Sequence, residues 1–182
     1  MTILRDITND KHREVESLPL VQALLHGEMT EREYLGYLYE LHLIYETLES
    51  LVMAKGMIRD LEGLQRADAI LEDIKELDPN EEYRHDYCQS TEIYLDYLID
   101  LFHINSEMLF AHVYTRHMGD LYGGKILARK VPGSGKAYQF DDRPGLIKKF
   151  NEKITLEMGG EANRAFDYFI KIFSELWPKI HK

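Results

Sequence analysis

The residues best suited to chemistry crowd into AHVYTRHMGDLYGGKIL, residues 111–127. Gly119, Gly123 and Gly124 fall inside a stretch whose other residues predict a helix, with Asp120 between the first two and Arg116 one turn earlier. Each glycine costs a helix interior about 1 kcal/mol relative to alanine. Gly119 and Gly123 are four apart and so share a face. Three outcomes would explain such a face: a flat group approaching the backbone, a bend in the helix, or a second helix packed through small residues. The neighbouring Asp120 and Arg116 argue against the last, because tight helix packing needs neither.

His12 stands four residues before Glu16, a spacing that puts both on one helical face. The carboxylate there can orient the imidazole, directly or through water, and a neutral imidazole so held is a good axial ligand for heme iron. The same spacing also describes an ordinary exposed pair. Other metal schemes fail on spacing. A ferritin-like di-iron bundle needs two Glu-x-x-His motifs, and only Glu82-Tyr83-Arg84-His85 is present. No H-E-x-x-H, G-x-S-x-G, P-loop or G-x-G-x-x-G occurs. Cys88, the single cysteine, excludes an internal disulfide; it reads as a buried thiol more readily than as a nucleophile.

These residues require helices to position them. Apolar residues recur at three- and four-residue spacing and glycine and proline are sparse before residue 130, which predicts an all-α domain of seven or eight helices. The first is expected over 2–25, kinked or restarted at Pro19 and ended by Gly27. Thr30 and Glu33 form a capping box that opens a helix to about Lys55. Further helices are expected over 60–77, as a pair over 81–103, and from Asn105 or Ser106 to about Lys130. The segment 131–145, with three glycines and two prolines, reads as a loop. Two last helices are expected over about 145–157 and 160–177, separated by Gly159-Gly160. No domain boundary is evident, so 1–182 reads as one domain.

The chain has 182 residues and a net charge of −10. Its 45% hydrophobic content excludes disorder. The acidity argues against nucleic-acid binding, which needs a basic face. No apolar run is long enough to span a membrane, and the N-terminus lacks the apolar core of a signal peptide. The expectation is a monomer in the cytoplasm, or in the plastid stroma of a eukaryote.

The stretch 111–127 closely resembles the distal-helix signature of the heme oxygenases. DKHREVES, residues 10–17, followed by the helix break at Gly27–Thr30, resembles the family's proximal segment. The resemblance covers about residues 4–130 and the last helix, and implies heme between a proximal helix and a kinked distal helix. It implies that His12 ligates iron with Glu16 as its partner, and that Gly119, Gly123 and Gly124 let the distal backbone approach the heme. Asp120 would hold a distal water network, extended by Arg116, Tyr45 and Tyr94. Arg5, Tyr114 and Thr115 would lie near the heme, the first two beside its propionates. The implied reaction consumes heme, dioxygen and external reductant and yields biliverdin, carbon monoxide and ferrous iron. Glycine backbone would tilt oxygen towards a meso carbon while an Asp120-held water supplies protons.

One departure concerns the propionates. Phe150 stands where the family usually places an arginine, so Lys148, Lys149 or Lys153 is expected to substitute, as point charges without the arginine fork. The expected product is the IX-α isomer. The stretch after Met158 is also several residues shorter than in the family pattern. Electrons are expected from a separate partner, ferredoxin or a reductase, steered by Arg129, Lys130, Lys136, Arg143, Lys148, Lys149 and Lys153. Two rival readings share the architecture: a heme binder or sensor without turnover, and a thiaminase-like hydrolase using Cys88.

Overall fold

The computed structural model describes residues 3–182. Among them are eight α-helices and no strand: α1 (Arg5–Glu16), α2 (Pro19–His26), α3 (Glu31–Ala54), α4 (Ala67–Leu77), α5 (Gln89–Ile104), α6 (Leu109–Leu127), α7 (Arg143–Asn151) and α8 (Gly159–Ile180). Single 3-10 turns lie at 106–108, 136–138 and 156–158.

Local chemistry sets the boundaries. Proline pushes its predecessor towards extended backbone, and Leu18 adopts ψ 142°, so Pro19 starts a new helix instead of kinking the old one. Gly27 closes α2 with φ 71°, a left-handed cap that costs glycine nothing. The Thr30 hydroxyl accepts the Glu33 amide at 3.2 Å and the Glu33 carboxylate accepts the Thr30 amide at 2.8 Å, the reciprocal box expected from the sequence.

Three expected boundaries are corrected. Residues 56–66 are turns and irregular backbone, and α4 begins only at Ala67. There the buried Glu49 carboxylate of α3 accepts the Arg66 amide at 2.6 Å and the Ala67 amide at 3.1 Å, capping α4 from another helix. Residues 81–88 are not helical, so the expected pair over 81–103 is α5 alone. Asp78 accepts the Glu82 and Tyr83 amides, and Glu40 accepts the Cys88 amide, so side chains hold this segment extended along α3. Gly159-Gly160 opens α8 and does not separate two helices. A Cβ on Gly159 would stand 3.0 Å from Ile7, so glycine there lets α1 approach α8.

α3, α6 and α8 pack on one another at the centre. α4 covers α3, α5 fills the angle between α3 and α8, and α1 lies along α8. Leu38, Ile44, Leu48, Val113, Leu121, Ile172 and Leu176 are fully buried between these helices. Each such side chain contributes roughly 1.5–3 kcal/mol on burial. α6 runs unbroken through its glycines, none of which has positive φ.

Candidate active site

α1 and α6 both lie on α8. They meet where the Thr8 hydroxyl comes 3.5 Å from the Tyr114 hydroxyl. One turn further along α1, His12 is half exposed and sets its ring edge-on to Phe166 of α8, with centroids 5.9 Å apart. Its Nδ1 lies 3.6 Å from Glu16, within ion-pair reach but too long for a hydrogen bond. Arg5 is exposed at the start of α1.

The glycines of α6 divide into two kinds. A Cβ built on Gly119 or Gly123 meets nothing within 4 Å. Tyr122 and Ile126, one turn on, are exposed beside them. Together they make an open, apolar, nearly side-chain-free strip, the surface a flat apolar molecule needs. Gly124 does not share it, which corrects the expectation that it lines the heme. A Cβ there would stand 3.1 Å from the Tyr138 carbonyl oxygen, so Gly124 serves packing. Thr115 is likewise turned away: its hydroxyl bonds the Ala111 carbonyl at 3.0 Å and approaches the Ala162 carbonyl of α8.

Asp120 is buried and accepts a hydrogen bond from Tyr45 of α3. Burial pushes its carboxyl above the usual carboxylate range, against the pull of Arg116, Tyr45, His117 and Arg66. The Arg116 guanidinium lies 4.6 Å from the Phe169 ring centre and 5.5 Å from that of Tyr45. Burial there works against its charge, but the surrounding Tyr45, Tyr37 and Asp120 oxygens more than offset this and raise its pKa. Two of the groups expected around Asp120, Tyr45 and Arg116, are thus brought to it.

Tyr94 belongs to a different chain of bonds. Its hydroxyl lies 2.8 Å from His112 Nδ1, His112 Nε2 lies 2.9 Å from Glu161, and Glu161 accepts the Tyr97 hydroxyl at 2.5 Å. Tyr94, expected to extend the water network held by Asp120, thus has His112 as its direct partner. Burial pushes the His112 imidazole below its usual pKa. The expected propionate lysines also divide: Lys153 pairs with Asp60 at 2.7 Å, Lys149 donates to the Asp60 carbonyl at 3.3 Å, and Lys148 is exposed. Phe150 is fully buried against Phe110, with ring centres 4.7 Å apart, so this position serves the core.

Sequence reasoning missed His117 and Glu49. His117 Nε2 lies 2.8 Å from Glu49, and its ring packs 4.9 Å from that of Tyr45. The signal was present: Tyr45 and Glu49 are one turn apart on α3, facing Asp120 and His117, one turn apart on α6. Cys88 is fully buried, and burial pushes its thiol up to about 12, so it carries almost no thiolate at neutral pH. That removes the nucleophile a thiaminase-like reaction would need.

A model of the heme oxygenase family matches residues 1–175. Heme oxygenase 2 of Mus musculus is 28% identical over 96% of this chain, which spans 64% of the mouse protein's length. Heme oxygenase of Pyropia yezoensis is 28% identical, covering 95% of this chain and 84% of its own. Among solved structures, heme oxygenase-2 from Synechocystis, in complex with heme and NO, superposes with a TM-score of 0.84 at 25% identity, over 97% of this chain and 84% of that one. Heme oxygenase-1 from the same cyanobacterium, in complex with heme, gives 0.83 at 24% identity, over 97% and 91%. No helix of the described residues is long and apolar enough to cross a membrane. The open glycine strip, the buried carboxylate beside it and the extent of these matches agree: the chain belongs to the heme oxygenase family.

Proposed function

We propose that this chain, acting as one domain, cleaves heme with dioxygen and external reductant to biliverdin, carbon monoxide and ferrous iron. The open strip at Gly119 and Gly123 carries the reading, because it spends helix stability on a face that only a flat ligand would use. The residues present fit heme. His12 would hold the iron, Glu16 would bias its imidazole, and Tyr122 and Ile126 would cover apolar ring edge. Bound heme supplies oxygen activation at its iron and is itself the molecule oxidised.

The chain's own residues do the rest. Gly119 and Gly123 admit the macrocycle close to the backbone and leave no side chain to compete for distal space. Asp120, raised by burial and anchored by Tyr45, is poised to hold a proton or a water at the edge of that space. Arg116 keeps a positive charge next to it, wedged on Phe169. Tyr114 and Arg5 remain on the α1 side for the propionates, with the exposed Lys148 of α7 as the lysine not drawn to Asp60. The preferred product is the α isomer. Electrons come from a separate acidic donor, a ferredoxin or a reductase, attracted to the basic residues around 129–153. A cytoplasmic or stromal monomer suits that exchange.

Anaerobic heme titration followed by turnover with ascorbate or ferredoxin, and chromatography of the product, tests the reading. One-to-one binding and biliverdin are expected. A stable ferrous spectrum with no bilin would replace the enzyme by a heme binder or sensor.

A further inference from the structure

We infer that Arg143 is a positioning residue for the glycine-bearing segment of α6, gripping the backbone of Asp120 and so fixing the face beside it. Its Nη1 donates to the Asp120 carbonyl at 2.9 Å and to the Leu121 carbonyl, and its Nη2 donates to the Tyr138 carbonyl at 2.8 Å. One guanidinium thus ties the middle of α6 to the 136–138 turn. The fork geometry suits this task, since a planar group with several fixed donors can serve three carbonyls at once. A helical carbonyl has two lone pairs, so each can accept from Arg143 without giving up its bond within the helix.

Gly124 makes the grip possible. In a helix the carbonyl of one residue lies beside the side chain four positions on, so a side chain at 124 would cover the Asp120 oxygen. A Cβ there would also stand 3.2 Å from Arg143 Nη1 and 3.1 Å from the Tyr138 oxygen. The third glycine, which the open strip leaves unexplained, is therefore the notch for the arginine. Arg143 is itself held. It opens α7, whose N-cap Asp142 accepts the Gly145 amide at 3.0 Å. Its guanidinium also lies 4.9 Å from the Phe140 ring centre, and Arg66 lies 4.0 Å from the same ring. The α6 segment is thus fixed from the α3 side by Tyr45 and Glu49, and from the α7 side by Arg143. The bearing on catalysis rests on the proposed function; the grip does not.

Amide hydrogen exchange on the heme-free chain, resolved by residue, separates the two. In Arg143→Ala the amides of Gly124 and Lys125, which face the Asp120 and Leu121 carbonyls along the helix, should exchange about tenfold faster, while those of α8 stay unchanged. Arg143→Lys, with one ammonium for three carbonyls, should recover part of the protection. Gly124→Ala should also speed exchange at 124 and 125. Helix propensity alone predicts the reverse, since alanine is the better helix former. Unchanged exchange at 124 and 125 in Arg143→Ala overturns the inference. So does slower exchange in Gly124→Ala, or an equal rise across α6 and α8 in both variants. Whether the chain degrades heme leaves these outcomes untouched.

Discussion

α1 and α6 carry the two halves of the proposed site and are held in opposite ways. α1 lies along α8, and His12 stands half in solvent, touching one ring edge and a carboxylate at 3.6 Å. α6 is packed between α3 and α8, and Asp120 is fixed through its side chain by Tyr45 and through its backbone by Arg143. A ligand-binding group tolerates freedom, because the ligand itself completes its fixation. A group that must place a proton has no such help and has to be preorganised by the protein. The α1 side should therefore be cheap to mutate for stability and expensive for binding, and the α6 side should show both costs.

His12→Ala tests the first half and should show the largest effect. Heme affinity and turnover should fall at least about 100-fold, since even outer partners of a ligand cost 10–100-fold. The heme-free chain should stay within about 0.5 kcal/mol of the parent, as expected for an exposed position. An unchanged ferric spectrum would reject His12 as ligand, and a large stability loss would break the contrast between the helices. Asp120→Ala should keep heme affinity within a few-fold while biliverdin yield drops about 100-fold, the lower range for a lost proton donor. It should also destabilise the chain by about 1–3 kcal/mol through the stranded Tyr45 hydroxyl. Normal biliverdin yield would remove Asp120 from the chemistry.

Gly123→Ala separates function from folding on a single helix. With open space around the new methyl, the heme-free chain should gain up to about 1 kcal/mol, or about 2–4 °C in Tm, while heme affinity falls about tenfold. Equal affinity would mean that the strip is not the heme face. The smallest effect concerns pH. His112 is neutral in the fold, its pKa pushed below 6.5 by burial, and its partner Glu161 is held low despite burial by bonds from His112 and Tyr97. Both groups bind more protons when unfolded, so they stabilise above their ordinary values and lose that contribution as pH falls. Asp120, raised, has the opposite sign: the stability of its neutral form is lost as pH rises through its folded pKa. Thermal midpoints should therefore decline below about pH 6.5, and His112→Gln should flatten the first part of that decline. An unchanged slope in the variant would remove His112 from the account.

The helices with local signals were legible in the sequence. The Thr30–Glu33 box, the left-handed Gly27 and the periodic stripe of α3 each act within one turn. The start of α4 was hidden because its cap is Glu49, eighteen positions before Ala67 and on another helix. Residues 81–88 carried helical composition but lost to side-chain bonds from Asp78 just before them and from Glu40 on α3. At the site, Gly119, Gly123, Asp120 and Tyr45 could be read because their oddity or family pattern is local. The separate duty of Gly124 could not, since only the fold brings Arg143 and Tyr138 to it. The engagement of Lys149 and Lys153 was hidden for the same reason: their partner is Asp60, across the chain.

The internal carboxylates have a consequence for anyone who surveys this chain by substitution. Glu40, Glu49 and Asp73 bind backbone amides of a distant segment, and Asp78 those of Glu82 and Tyr83 just beyond it, each from a buried position. Exchange for the corresponding amide keeps the shape but puts an NH2 where an acceptor is required. A scan that ranks positions by intolerance would therefore place these four beside His12 and Asp120. Only a readout that separates abundance from bilin formation would tell the stitching of this molecule from its chemistry.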